Sequence, residues 1–356
     1  MKLRLGKRLC LFVAAVSVIH ALRGVLSYLL SSDTLGTRNI RSGSTLSVEN
    51  RIITSYPHHV QYEDWLQWRN GSLSNFKDNL SSFLKPENAI RIFKEEFQLT
   101  SQGFRQEYST TFNVTLPEAT KKKTYSVPLQ KMCAVVGNGG ILRNSRCGDE
   151  IDKNDYVIRF NLPDVSNYVR DVGSKTNLTV MNVLTCLRMY NSLAAGKKTF
   201  FPGEVSKKEA IKRFRKLKNS VLWYPDSLKA NCTSEMLTYV LQKIKSDFDL
   251  SVRVGYTIYG DLSNFTKRFL GLSGLPTVGM RTVLVALLLC DDVTVYGFYP
   301  FQTDSSGKTI PHHYYGAWSH KTNKYEKSVH GWNEEFELLK SYHERGMIRL
   351  VVNKCA

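Results

Sequence analysis

The chain has 356 residues, 42% hydrophobic and 11% aromatic, which is globular usage and enough chain to bury a sizeable core. Its 49 Lys and Arg against 31 Asp and Glu leave a formal charge of +18, so anions are the expected partners: an acidic substrate, an anionic membrane or a nucleic acid. Nothing in this composition fits a collagen, a repeat array or a polytopic membrane protein.

Lys2, Arg4, Lys7 and Arg8 precede an apolar stretch from Leu9 to Leu30. That order reads as a membrane signal holding the N-terminus in the cytosol. His20 and Arg23 interrupt the stretch, and the alternative is a cleaved signal peptide with its apolar region at Leu9–Leu22. Apolar character resumes over Val25–Leu30 without a clear small-x-small cleavage site, which favours an uncleaved anchor. The expected organisation is a cytosolic tail (1–8), a signal-anchor helix (9–30) and a stem rich in Ser, Thr, Arg and Asn (31–60). Sequons at Asn70, Asn79, Asn113, Asn177, Asn231 and Asn264 agree with a lumenal body. In that compartment nucleic acid drops out as a partner and an acidic substrate takes its place. Cys10 lies in the apolar segment, leaving Cys133, Cys147, Cys186, Cys232, Cys290 and Cys355 in an oxidising lumen. An even set suggests disulfides whose pairing the spacing leaves open, and no Cys or His spacing suits a metal.

Residues 61–125 read as a helical N-terminal part of the lumenal region. Trp65, Leu66, Phe76, Leu80, Phe83 and Leu84 form an apolar stripe, and Pro86 opens a second helix carrying Ile90, Ile92, Phe93 and Phe97. Lys121–Lys123 marks a solvated hinge. Strands are then expected at Cys133–Val136, Tyr156–Phe160, Thr179–Val183 and Val221–Tyr224, with a basic helix over Lys207–Lys218 whose charges face solvent. Thr282–Leu289 reads as a buried helix too short to span a bilayer, followed by strand Val293–Tyr296, helix Asn333–Gly346 and strand Met347–Val352. Strands alternating with helices predict an α/β sheet, mostly parallel.

Two regions carry candidate chemistry. Cys133–Val136 feeds Gly137-Asn138-Gly139-Gly140, a phosphate-type turn in which glycines let backbone N–H groups approach an anion. Leu142 stands where GxGxxG needs its last glycine, which disfavours a dinucleotide and leaves a nucleotide monophosphate open. Further on, His312, His313, Tyr314, Tyr315 and His330, with Glu334 and Glu335, form a polar cluster. Histidine is the usual general base near neutral pH, and its protonated form steadies a phosphate.

Cys133–Leu142, continuing through Cys147–Asp152 to Val157–Asn161, resembles the large sialyl motif of eukaryotic sialyltransferases. Pro276–Phe301 resembles the small motif, His313-Tyr314-Tyr315 the third motif, and His330 with Glu335 the very small motif. The likeness covers residues 126–356, expected to be the catalytic domain, and its wording is nearest the α-2,8 branch of mono- and oligo-adding members. It implies a GT-A-like Rossmann-type single domain in the Golgi lumen, held as a single-pass type II membrane protein, with a homodimer among its expected assemblies. It further implies an inverting transfer from CMP-sialic acid to a sialylated glycolipid or glycoprotein, without metal or other cofactor. In this resemblance Asn138, Asn161, Thr277, Val278, Gly279, Gly297, Phe298 and Tyr299 hold the donor. His313 steadies the leaving phosphate and His330 is the base. Cys133 pairs with Cys290 and Cys147 with Cys355. A third bridge between Cys186 and Cys232 is expected because both would otherwise stand unpaired in an oxidising lumen.

The sequence departs from the family pattern at Val278, where a Thr is usual, at Tyr299 for Trp, at Phe160 for Cys and at Gly316 for Asp. Two alternatives remain at this level: a sister activity on Gal or GalNAc acceptors, and a catalytically weak sialoglycan-binding member. Gly139, where polymerising members typically show Ser, and the few cations of residues 251–275 (Arg253, Lys267, Arg268) predict short additions rather than long polymers.

Overall fold

The computed structural model describes residues 62–94, 124–194, 206–217, 219–225, 231–257, 262–316 and 330–355. The expected tail, anchor and stem and the Lys121–Lys123 hinge lie outside them. No helix among the described residues is long and apolar enough to cross a membrane.

Nine strands form one sheet: β1 (Arg91–Phe93), β2 (Thr124–Ser126), β3 (Gln130–Val136), β4 (Tyr156–Phe160), β5 (Leu178–Val180), β6 (Val221–Trp223), β7 (Arg253–Tyr256), β8 (Cys290–Tyr296) and β9 (Arg349–Val351). Their spatial order is β2-β1-β7-β6-β5-β4-β3-β8-β9. Every pairing from β7 to β9 is parallel, whereas β1 runs antiparallel to both its neighbours. The architecture is therefore α/β with a mostly parallel mixed sheet.

Helices cover both faces: α1 (Tyr62–Phe83), α2 (Pro86–Ala89), α3 (Gly148–Asp152), α4 (Val169–Val172), α5 (Val183–Leu193), α6 (Lys207–Arg215), α7 (Asn231–Phe248), α8 (Leu262–Leu270), α9 (Val278–Leu289) and α10 (Trp332–Glu344). The twofold alternation of strand side chains sorts them into layers. Cys133 and Val135 join the core beneath α9, while Ala134 and Val136 join a second cluster with Leu142, Tyr296 and Tyr314. Both sets are buried, which is why the central strand reads as a continuous apolar run rather than as alternation. In α9 every residue from Gly279 to Leu289 is buried, and the helix lies against α1, α2, β3 and β8. Each fully buried Leu or Val there contributes roughly 1.5–3 kcal/mol.

The second helix expected to open at Pro86 does not carry Ile90, Ile92 and Phe93, and Phe97 lies outside the described residues. Helix α2 stops after four residues, Ile90 turns extended (φ −138°, ψ 118°), and Arg91–Phe93 becomes the strand β1. Ile92 and the Arg91 guanidinium are buried there, and the guanidinium bonds the Thr124 hydroxyl at 2.7 Å and the Ser126 hydroxyl at 3.1 Å. Open pairing partners on β2 and β7 outweigh a weak local helix signal. The sheet thus runs across the 125/126 boundary drawn from the sequence. The strand expected at Thr179–Val183 ends at Val180, because Asn182 caps α5 by accepting from the Thr185 N–H at 2.8 Å.

Cys133 bonds Cys290 and Cys147 bonds Cys355, with Cα–Cα distances of 6.0 and 4.9 Å. The first ties β3 to β8; the second fastens the C-terminus beside α3. The expected Cys186–Cys232 bridge is corrected. Cys186 is a free thiol buried between α5, α6 and α7, and burial pushes it up to about 12. Its side chain faces a packed apolar core, and that of Cys232 lies outside the described residues.

Candidate active site

From β3 the chain proceeds to β4 on one side, while β8 and β9 lie on the other. In open α/β sheets such a reversal leaves a crevice at the carboxyl ends of the strands, where ligands bind. A cleft of about 770 Å³ opens there. Its walls bring together all ten residues singled out from the sequence: Asn138, Asn161, Thr277, Val278, Gly279, Gly297, Phe298, Tyr299, His313 and His330.

The glycine turn is built differently from the anion turn expected of it. The Gly137 N–H donates to the Tyr296 carbonyl at 2.7 Å and the Gly139 N–H to the Gly297 carbonyl at 3.1 Å, so both are committed to the protein. A Cβ on Gly137 or Gly139 would stand 2.7 or 2.5 Å from the Gly297 oxygen, and one on Gly140 would stand 1.9 Å from the Pro311 oxygen. These glycines allow three remote segments to close on one another. Gly297 is at φ +72°, where a side chain would be strained. The same turn seats the histidine segment: Gly139 bridges His313, and the Tyr314 N–H donates to the Asn138 carbonyl at 3.1 Å.

The two asparagines are held by their own amides. Asn138 Nδ2 donates to the Phe160 carbonyl at 3.1 Å, and its Oδ1 is buried with no protein partner among the described residues. Asn161 sits at φ +61°, a conformation Asn tolerates better than most residues, and its Oδ1 accepts from the Asn182 N–H at 3.1 Å. An orphaned acceptor at the cleft wall is an incomplete site that a donor group on a ligand would complete. Phe298 fills the floor, edge-on to Phe160 at 5.9 Å and against Gly279, where a Cβ would meet its ring. Tyr299 packs edge-on against Phe301 and Phe336 at 4.9 and 5.8 Å.

Three contacts stitch the start of α10 to the segment before α9. The Ser273 hydroxyl donates to Glu334 at 2.9 Å. His330 Nδ1 donates to the Leu275 carbonyl at 2.7 Å. Glu335 accepts from both the N–H and the hydroxyl of Thr277, each at 2.6 Å, while that hydroxyl caps α9. A carbonyl oxygen only accepts, so Nδ1 carries the proton and Nε2 of the neutral imidazole is the acceptor.

Burial pushes the Glu335 carboxyl up to about 7, against the lowering effect of the Thr277 bonds and the Arg281 charge. Between its ordinary 4.5 and about 7 the folded chain keeps a proton that the unfolded chain has lost. The resulting stability is complete below the lower value and is lost as pH rises through the upper one, a change on the order of 3 kcal/mol. Urea midpoints measured from pH 4 to 8 should fall over that window, and Glu335→Gln should flatten the fall. Parallel curves for both proteins would remove Glu335 as its source.

His313 does not carry the charge expected for steadying a phosphate. Burial, with the neighbouring His312 and Arg188 charges, lowers it from 6.5 to about 3, so the unliganded ring is neutral. A neutral ring still donates one N–H. It stacks at 5.8 Å on Tyr315.

Sequence reasoning missed the wall formed by α5 and α6. Arg188, Glu209 and Arg213 line the cleft, although the charges of the basic helix were expected to face solvent. The apolar positions Ile211 and Phe214 pointed to the buried stripe. They could not tell which flank of it meets the cleft. Among the described residues no group of three His, Cys, Asp or Glu side chains could hold a metal ion.

An α/β sheet with a cleft at its switch point, walled by histidines and amides, fits an enzyme of small-molecule chemistry. The chain matches glycosyltransferase family 29 (sialyltransferase) over residues 79–347, and it belongs to that family. It is 34% identical over 249 residues to an α-N-acetylneuraminide α-2,8-sialyltransferase of Xenopus tropicalis, covering 65% of this chain and 63% of that one. A protein of the same description from Xenopus laevis is 34% identical over 232 residues, covering 63% and 59%. The match thus spans less than two thirds of either relative. A solved mammalian sialyltransferase in complex with Gal-β-1-3GalNAc-ortho-nitrophenol aligns at 17% identity and a TM-score of 0.41, covering 83% of this chain and 87% of that one.

Proposed function

We propose that this protein transfers sialic acid from CMP-sialic acid to the terminal sialic acid of a glycolipid or glycoprotein, forming an α-2,8 linkage with inversion. The observation that carries the reading is the meeting of all four family motifs in one cleft, in a chain whose relatives are α-2,8-sialyltransferases. Asn138, Asn161, Thr277, Val278, Gly279 and Gly297 hold the donor, with Phe298 and Tyr299 as its apolar boundary. His330 Nε2 takes the proton of the acceptor hydroxyl as that oxygen attacks the anomeric carbon. The bond from this carbon to the phosphate oxygen breaks, and CMP leaves with the electron pair. The neutral N–H of His313 donates to the phosphate oxygen as its negative charge grows, which is the moment such a donor acts most strongly. Single displacement needs neither a covalent enzyme intermediate nor a metal.

Within this reading residues 9–30 anchor the chain in the Golgi membrane, 31–60 form the stem, and the positive balance draws two sialylated anions. The sparse cations of residues 251–275 retain product weakly, so additions stay short.

Detergent-solubilised full-length protein should transfer from CMP-sialic acid to sialylated gangliosides or glycoproteins, and not to their desialylated forms. Mass spectrometry should find one or a few added residues in α-2,8 linkage, with the rate unchanged by EDTA. Transfer to desialylated Gal or GalNAc ends, or long ladders, would overturn the linkage or the short-addition reading respectively.

A further inference from the structure

The C-terminal half of α1 divides cleanly into two faces. Leu73 and Leu80 are buried, and Phe76 packs edge-on against Phe269 of α8 and Tyr342 of α10, both at 5.4 Å. The opposite face carries Ser74, Asn75, Asp78, Asn79, Ser82 and Phe83, all exposed and at helical spacing. Phe83 is the one apolar member of that set, 46% exposed although it meets Phe269 edge-on at 6.1 Å. A single exposed ring is common. Its neighbour is what matters here.

Asn79 stands four residues before Phe83 and opens the sequon Asn79-Leu80-Ser81. Residues four apart on a helix lie about 5–6 Å apart at Cβ, and long side chains lean towards the N-terminus, so the Phe83 ring is directed over the turn that carries Asn79. The Asn79 carboxamide is exposed, and no described residue bonds it. The sequon at Asn177 offers a contrast. That residue is half-buried, its Oδ1 accepts from the Val157 N–H at 2.8 Å, and Leu178 and Thr179 after it are wholly buried. Leu80 also fixes the order of events. It is wholly buried in the folded chain, so an enzyme that reads Asn79-Leu80-Ser81 has access only before α1 packs. Asn79 faces solvent afterwards, and the folded protein accommodates what was added.

We propose that Asn79 carries an N-linked oligosaccharide whose first N-acetylglucosamine rests on the exposed part of the Phe83 ring. The proposal rests on the reading of the chain beyond the anchor as lumenal. The co-reactant is a lipid diphosphate-linked oligosaccharide of the secretory pathway. Asn79 Nδ2 forms a bond to C1 of the first sugar, and the bond from C1 to the diphosphate oxygen breaks. The lipid diphosphate leaves with the electron pair, and one amide proton passes to solvent. The C–H face of the sugar then meets the negative face of the aromatic ring, and both lose apolar area to water no longer.

The test uses full-length protein made in mammalian cells, freed of glycans by peptide N-glycosidase in heavy-oxygen water and mapped by mass spectrometry. Asn79 should be recovered as heavy-labelled Asp. Ser81→Ala should abolish that label alone and lower the melting temperature by about 2–4 °C. In a Phe83→Ala background the same change should lower it by about half as much or less, since the contact is already gone. Mapping of the unaltered protein needs no variant, so the site is decided even if Phe83→Ala folds poorly. Unmodified Asn79 beside another occupied sequon would overturn the proposal and leave the lumenal reading intact. A chain with no occupied sequon would overturn both. Occupied Asn79 with equal melting shifts in the two backgrounds would overturn the contact with Phe83.

Discussion

His330→Ala is expected to lower the rate of transfer by about 10²- to 10⁴-fold, the span usual for loss of a general base. The imidazole hangs from the Leu275 carbonyl by Nδ1, and this bond turns Nε2 into the acceptor. Its removal costs this hydrogen bond and the edge-on contact with Trp332 at 5.5 Å. The larger contacts that hold this region, Glu335 to Thr277 and Glu334 to Ser273, are untouched. CMP affinity and the melting temperature should therefore stay close to those of the parent, while kcat and kcat/KM fall together. His330→Gln keeps a hydrogen-bonding side chain without a base and should be nearly as inactive. Transfer within a few-fold of the parent in either variant would take His330 out of the mechanism.

Gly140→Ala tests the closure of the three motifs. Its Cβ would fall 1.9 Å from the carbonyl oxygen of Pro311, which is backbone and cannot rotate aside. Restoring an ordinary contact requires the Pro311–Tyr315 segment to shift by about 1 Å or more. That segment carries His313 and is bonded to Asn138 and Gly139, so the shift pulls His313 away from the glycine turn. Displacements of this size cost about 10²-fold in rate, and overpacking adds roughly 1–3 kcal/mol of destabilisation. Gly71→Ala provides the contrast. Gly71 sits in α1 with nothing within 4 Å of the new Cβ, so the change should stabilise by about 0.5–1 kcal/mol with activity unaltered. Normal transfer by Gly140→Ala would mean that the glycine turn does not set His313.

Much of the sheet was legible because its local patterns are strong. The short apolar run of Cys133–Val136 reads as a strand buried on both faces, and Thr282–Leu289 as a buried helix, and each formed as read. The motif residues could be named in advance, since the likeness to sialyltransferases fixes positions along the chain. Periodicity failed where long-range pairing decided the outcome. Ile90–Phe93 has an ambiguous local pattern, and it became β1 because β7 and β2 present edges to it.

Tertiary structure alone decided the electrostatic state of the site. His313 is neutral because burial strips it of water and His312 and Arg188 stand beside it, and Glu335 holds its proton because α9 and α10 bury it together. The glycines of the turn meet backbone from residues 297 and 311, more than a hundred positions away. Arg213 looked like one charge on a solvated helix until Tyr315 was brought beneath it. A sequence specifies which groups are available and the period of their faces. Their hydration and neighbouring charge, which set their chemistry, depend on segments that meet only when the chain folds.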